Sequence, residues 1–517
     1  MNDAHNYLNY APLDAAAPTP ENVSRRSLLV DLRNCYEGFA GIPQELRLLF
    51  DMFSDMPWQQ LGGLASGVFH RAPRETPPKD AFELVAQQTR MLIAQDEGRL
   101  PMPLPFRLLP GRIRRRMQFP FSALITTGRD EKLDREIDRE IFEDYLWVKL
   151  FDKTLPPSRR GLIGKARFFA TELGHENARH LTMLPGMFQK GLDSTGWDLF
   201  FAASVTPYKL PARTRMVIRY YDALPLFSPH TVGDPWPHAS SHGRMLQNNM
   251  KAGATFFCDS EPVRADVLRM FPEAEKRVHT IPAVLAPEYR QDQRAISTLR
   301  TILNRRASPA TAAARPAPMP QGEPLRAADN PRLVMAVSTL EPRKNYLKLF
   351  HAFEVARRMV DVPMKLLVVA NPGWRSDKEL AELKALVREG SAHHLAGVPI
   401  EELRILYSMA HCVVCPSRAE GFDYSGVEAM ACGAPVLASD ISVHRWVYGE
   451  AAEYFDAYNV EELASLIAQT VTLPSDEGHL GDMRDRGFRR AALYRQEALA
   501  PVWQDALAKV ANEPQPA

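Results

Sequence analysis

Short apolar runs of strand length alternate with helically spaced segments along most of this chain, and that alternation admits few folds. In the second half the runs Leu333 to Val337, Lys365 to Ala370, Cys412 to Cys415 and Pro435 to Ala438 are interleaved with helical text at Tyr346 to Val360, Asp377 to Val387, Pro399 to Met409 and Ser425 to Ala431. Strands that are apolar throughout must be covered on both faces, so this pattern predicts a doubly wound parallel sheet with helices on either side. The first half repeats it, with strands expected at Ser27 to Leu32, Trp197 to Val205, Met216 to Tyr221 and Ala254 to Asp259. A helix is expected at Gln44 to Phe53, from the spacing of Leu46, Leu49, Phe50 and Phe53, after the loop Gly38-Phe39-Ala40-Gly41-Ile42-Pro43. The fold class is α/β, in two large domains.

The 517 residues divide into a polar head (1–24), a first domain (25–304), a Pro/Ala-rich linker (305–330), a second domain (331–487) and a closing segment (488–517) whose helical text is long enough to return to the first domain. A helical and basic insertion is expected near 85–165, including an amphipathic helix over Asp130 to Phe151 with Leu133, Ile137, Ile141, Tyr145 and Val148 on one face. The formal net charge of +1 leaves no field to gather phosphate polymers, which argues against a nucleic-acid partner. Five cysteines exclude a disulfide scaffold, and Cys412 and Cys415, three apart on a strand, point to opposite faces and make no metal pair. No apolar run reaches bilayer-spanning length, and Met1 to Pro20 lacks a basic and apolar leader, so the expected location is cytoplasmic. Leu104 to Pro120 sets Arg107, Arg112, Arg114, Arg115 and Arg116 among Leu, Ile, Met and Phe, a basic loop able to rest on anionic headgroups of the inner membrane.

Chemistry concentrates in Pro416 to Asp440, between a buried strand and the next. Glu420 falls in the loop before a helix and Glu428 about one turn inside it. The helix start near Asp423 to Gly426 offers free amides and the positive end of a dipole, suited to a pyrophosphate. Ligands bind such sheets at this carboxyl edge.

The run Glu420-Gly421-Phe422-Asp423-Tyr424-Ser425-Gly426-Val427-Glu428-Ala429-Met430-Ala431 resembles the signature E-G-F-G-L-P-x-x-E-A-M-A of the retaining glycosyltransferases of family 4. That resemblance implies a GT-B fold, two Rossmann-like domains facing across a cleft, with a nucleotide sugar between them. Glu420 would bond hydroxyls of the donor sugar, Gly421 and Phe422 would lend amides, and Glu428 would hold the ribose. Asp423, Tyr424 and Ser425 stand where the family has glycine, leucine and proline; an acid beside a diphosphate is unfavourable unless it points to sugar hydroxyls or caps the helix. Val337 to Asn345 resembles the family's cationic loop, with Ser338 and Thr339 beside the donor and Arg343 and Lys344 on the leaving diphosphate. Leu395 to Pro399 resembles the base-contacting loop, through Val398, and Trp374 and Arg375 are candidates to border the base.

On the acceptor side, Gly38 and Gly41 resemble the family's glycine loop, and Tyr221-Asp222 stands where His-Asp is usual, so Asp222 would orient an acceptor hydroxyl; His242 is a weaker candidate there. Cys258-Asp259-Ser260-Glu261 resembles a helix-capping turn. No D-x-D or His/Cys cluster is visible, so no metal or other cofactor is expected, and fixed cations would carry the diphosphate. The implied function is retaining transfer of a hexose, mannose from GDP-mannose in the first instance, to a glycan or lipid-linked glycan in bacterial surface polysaccharide or O-antigen assembly. A non-catalytic GT-B scaffold, and a GT-B epimerase or phosphorylase, are the rival readings.

Overall fold

The computed structural model describes residues 25–36, 38–39, 41–65, 78–97, 130–171, 175, 178–179, 182, 189–233, 235–292, 296–307, 331–474 and 478–513. The polar head, the basic loop 104–120 and linker residues 308–330 lie outside them. Residues 305–307 are not linker: Arg305 and Arg306 end the helix Ile296–Ala307 and pair with Glu402 on the helix Ile400–Met409, so this helix already packs on the second domain and the chain crosses between domains before it.

Two parallel sheets carry the fold. In the first domain the strand order is Val278–Thr280, Thr255–Cys258, Arg215–Tyr220, Leu199–Ala202, Ser27–Asp31, Gln60–Leu64, Arg167–Phe169 and Glu136–Ile137, the last antiparallel at the edge. The chain winds outward from Ser27–Asp31 in one direction and from Leu199–Ala202 in the other. In the second domain the order is Ala392–Leu395, Met364–Val369, Arg332–Val337, Cys412–Cys415, Val436–Ser439 and Ala452–Phe455, again wound outward from the middle. Each sheet therefore has a switch point where consecutive loops diverge and leave a crevice, between Arg332–Val337 and Cys412–Cys415 in the second domain.

Cys412 packs into the core on one side of this sheet and Cys415 into the core on the other, as strand alternation requires. Both are buried free thiols.

The amphipathic helix expected over Asp130 to Phe151 does not form. That stretch holds the short strands Glu131–Lys132 and Glu136–Ile137, then a helical turn at Glu143–Leu146 that widens into a π-turn at Trp147–Phe151. Ile137 is drawn into the sheet edge opposite Phe168, and the Asp138 carboxylate takes the amides of Glu140 and Ile141, so a local cap competes with helix. Ile141 and Val148 are left about half exposed, at 52% and 51%.

The helix Gln496–Asn512 runs back beneath the first domain. Its Trp503 is fully buried, with ring centroids 5.8 Å from Phe53, 5.8 Å from Phe201 and 5.2 Å from Phe257. Burial of one such side chain contributes about 3 kcal/mol. Where the chain crosses between domains, Leu285 pairs with Arg495, and Arg495 donates to the carbonyls of Ala286 and Tyr289.

Candidate active site

The two loops at the second domain's switch point are Glu341 to Asn345, after Arg332–Val337, and Pro416 to Asp423, after Cys412–Cys415. Backbone ties hold them together: the Arg418 amide donates to the Arg343 carbonyl at 2.8 Å, and the Asn345 side-chain amide donates to the Pro416 carbonyl at 3.0 Å. Asn345 accepts a left-handed conformation, φ 61°, to turn from the loop into the helix Tyr346–Met359.

These ties place both cations on one carboxylate. Arg343 Nη1 lies 2.7 Å from Glu420 Oε2, and Lys344 Nζ lies 2.5 Å from Oε1. Arg343 is further held by Glu341 at 3.0 Å and by the Ala419 carbonyl at 3.1 Å. Burial pushes the Glu420 carboxyl up, but Arg343 and Lys344 overcome it and hold it below its usual range. Arg343 is likewise held above its ordinary value, against its own burial, by Glu420 and Glu341.

Across the cleft stands Asp222, whose Oδ1 accepts from the Leu224 amide at 3.0 Å. Burial raises this carboxyl, Arg343 pulls it down and Glu420 pushes it up, which sets it within the field of the opposite domain's cation–carboxylate group. Tyr221 lies beside it with its ring under the Arg219 guanidinium, 5.5 Å from its centroid. Arg219 pairs with Glu45 at 2.7 Å, both fully buried. The domains touch here. Gly421 lies against the Tyr221 carbonyl, and Ser260 Oγ donates to the Gly421 carbonyl at 2.6 Å. Ser260 thus spends its hydroxyl on the other domain and does not cap its own helix, contrary to the sequence expectation.

Asp423 neither caps the helix Tyr424–Ala431 nor offers a free carboxylate to a sugar. Its Oδ2 lies 3.1 Å from His444 Nε2, Ser425 Oγ donates to Oδ1 at 2.7 Å, and the Tyr448 hydroxyl donates to its carbonyl at 3.0 Å. Burial opposes the charge, but His444, Lys344 and Ser425 hold the carboxyl well below the usual range. Its φ of 67° keeps a backbone turn that glycine adopts freely, at a cost of about 1 kcal/mol. The departure from the family pattern is therefore anchored as a unit with His444.

Glu428 is buried, and the Tyr407 hydroxyl donates to its Oε2 at 3.0 Å. Phe422 turns its ring inward, T-shaped at 5.3 Å from Tyr494, so its backbone alone faces the loop. Tyr424 extends toward the first domain, where its hydroxyl is buried in the field of Glu45, Tyr221, Arg219 and Asp259. Its side chain thus belongs to the domain junction. Ser338 donates to the Tyr346 hydroxyl at 2.9 Å, Thr339 is exposed at the loop edge and Val398 is half-buried.

Gly38 and Gly41 adopt φ of 68°, and a Cβ on Gly41 would meet nothing within 4 Å, so backbone conformation is what requires glycine there. Their bonds stay within the first domain: the Gly38 carbonyl accepts from Arg47 and the Gly41 carbonyl from the Glu45 amide, both at 3.0 Å. Trp374 and Arg375 reach across to the first domain, donating to the Thr231 and His230 carbonyls at 3.0 and 3.1 Å. His242 is buried 2.9 Å from the Tyr220 hydroxyl and stacked near His238, with its pKa pushed down to about 4 by burial and by His238.

Residues 321–486 match the family model described as Glycosyl transferases group 1. O-antigen chain mannosyltransferase B of Escherichia coli is 33% identical over 135 residues, 26% of this chain and 35% of that protein. MMP alpha-(1->4)-mannosyltransferase of Mycolicibacterium hassiacum is 31% identical over 188 residues, 35% of this chain and 44% of that protein. The chain thus spans between about a third and less than half of the length of these curated relatives. Sucrose-phosphate synthase from Thermosynechococcus elongatus matches over 94% of this chain and 99% of that one, with a TM-score of 0.55 at 14% identity. The fold is GT-B, with its two parallel α/β domains facing each other across the cleft.

Proposed function

We propose, from the premise that residues 321–486 form a glycosyl transferases group 1 domain, that the protein moves a hexosyl unit from a nucleotide sugar to a hydroxyl of a growing glycan with the anomeric configuration retained. The observation that carries this reading is the clamp of Arg343 and Lys344 on Glu420 at the switch point, opposite Asp222. A diphosphate entering the cleft competes for the two cations and releases the carboxylate to hydroxyls of the sugar. Glu428 holds the ribose. Amides of the Gly421 to Ser425 loop, with Ser338 and Thr339, line the donor, and Val398 meets the base.

In the reaction the bond from C1 to the phosphate oxygen breaks while a bond from C1 to the acceptor oxygen forms on the same face. The acceptor's proton passes to the leaving phosphate oxygen, and Asp222 orients the hydroxyl. Negative charge grows on the diphosphate as its bond breaks, so cations already fixed in place act most strongly in the transition state. No metal takes part in this scheme. Mannose is the favoured sugar because the two relatives described above are mannosyltransferases. The acceptor is a glycan or lipid-linked glycan of surface polysaccharide assembly, reached on the cytoplasmic side; among the described residues no helix is long and apolar enough to cross a membrane.

The test is release of nucleoside diphosphate from GDP-mannose and a panel of other nucleotide sugars, with and without glycan acceptor. Acceptor-dependent release with retained product stereochemistry is expected. Equal release without acceptor, or none from any donor, rejects the proposal.

A further inference from the structure

Glu428 has an unusual set of neighbours for a buried acid. It is 4% exposed, yet among the described residues its side-chain hydrogen bond comes from a tyrosine, a second tyrosine stands beside it, and no cation pairs with it. Tyr407 donates to Oε2 at 3.0 Å from the helix Ile400–Met409. Tyr289 stands beside that pair, its ring centroid 6.1 Å from that of Tyr407 and its hydroxyl near enough to act on the carboxyl. An acid buried for the sake of charge is met by arginine or lysine, whereas neutral donors fix a carboxylate's orientation and leave its charge available to a further donor.

A carboxylate has about four acceptor positions. With one taken by Tyr407 and another facing Tyr289, about two are left, the number needed by two adjacent hydroxyls. A glutamate without such supports would sample several rotamers and present its oxygens in many directions. We infer that Tyr289 and Tyr407 are positioning residues that aim Glu428 at the 2′,3′-diol of the donor's ribose; this rests on the ribose role proposed for Glu428.

Tyr289 sits on the segment that crosses between the domains. Its amide donates to the Ala286 carbonyl at 3.3 Å, and Arg495 on the returning chain donates to the carbonyls of both residues. Leu285 is bonded to Tyr494 at 2.8 Å. Tyr289 is therefore held by the segment that crosses between the domains, and Tyr407 by the second domain.

The experiment compares GDP with 2′-deoxy-GDP, and UDP with 2′-deoxy-UDP, by titration calorimetry on the full chain and on the Tyr289→Phe and Tyr407→Phe variants. The native protein prefers the ribose form by about tenfold or more, as expected when a site built for a hydroxyl meets a ligand lacking it. Each variant narrows that ratio about fivefold, by weakening the ribose form alone, while far-UV circular dichroism and melting temperature stay near native. In turnover assays KM for the donor rises and kcat holds. Parallel weakening of both ligands, or an unchanged ratio in both variants, overturns the positioning role. A native protein that binds ribose and deoxyribose forms equally overturns the role of Glu428 itself, and the inference with it. Either variant alone suffices if the other fails to fold.

Discussion

A Cβ built on Gly421 would stand 1.9 Å from the carbonyl oxygen of Tyr221, so the two domains meet backbone to backbone one residue from the Glu420 carboxylate. No L side chain fits that space without moving a main chain, and the hydroxyl of Ser260 closes on the same peptide at 2.6 Å. Gly421→Ala is expected to hold the cleft ajar: turnover falls about tenfold to a hundredfold while each domain stays folded. Small-angle scattering with saturating nucleoside diphosphate checks this, and native compaction together with native turnover would rule it out.

The Glu420 clamp makes a sharper statement about chemistry. Glu420→Gln keeps the shape and removes the charge, and Lys344→Ala removes one of the cations meant for the diphosphate. Each should lower kcat about a hundredfold or more. Arg343 keeps a second carboxylate, Glu341, at 3.0 Å in the Glu420 variant, so the loop stays folded. Near-native kcat in both variants would remove this site from the reaction.

Acid and base effects oppose each other in this protein. Burial raises the Glu428 carboxyl from 4.5 to about 7, against the hydrogen bonds of Tyr407 and Tyr289 and with a further push from Asp423. A raised carboxyl contributes stability that is present in full below pH 4.5 and lost as pH climbs through 7, up to about 3 kcal/mol. His242, lowered from 6.5 to about 4, has the reverse slope, losing stability as pH falls from 6.5 toward 4. The two partly cancel in the native chain. Glu428→Gln should therefore gain stability relative to native at pH 8 and gain little at pH 4, measured by urea unfolding at both. A difference that does not change with pH would contradict the assignment.

His444 is the strut for Asp423. His444→Ala leaves a carboxylate buried with a left-handed backbone and without its imidazole partner, which should cost about 1 to 3 kcal/mol. His444→Gln, with a donor in a similar place, should recover part of it. Melting curves for the pair decide, and equal stabilities would mean that Asp423 is held by Ser425 and Tyr448 alone.

Sequence pattern revealed the second domain better than the first. Its central strands are apolar on both faces, and Cys412–Cys415 lies where the text places it. Ala392–Leu395 escaped notice because it reads Ala-His-His-Leu; His393 and His394 are nonetheless buried, the latter bonded to the Ala370 carbonyl at 2.9 Å. The segment Asp130 to Phe151 misled because helical spacing does not register a competing cap at Asp138. Within the site, the spacing of Glu420 and Glu428 and the Arg343-Lys344 pair were legible as local text. The partners that orient them were not. Tyr289 beside Glu428, Ser260 on the Gly421 carbonyl and His444 on Asp423 reach their places through tertiary contacts, and the Glu45–Arg219 pair spans 174 positions with no local sign that a helix of leucines would bury an acid. Tyr424 stands in the donor signature, yet its hydroxyl serves the domain junction, which only the docking of the first domain reveals.

Trp503 gives this architecture a timetable. The strands that surround it are complete by Thr280, while the helix that carries it begins at Gln496. At about 5–20 residues per second of synthesis, roughly ten to forty seconds separate the two. Throughout that interval Phe53, Phe201 and Phe257 line an open aromatic socket on the nascent chain. The half made first is thus the half finished last.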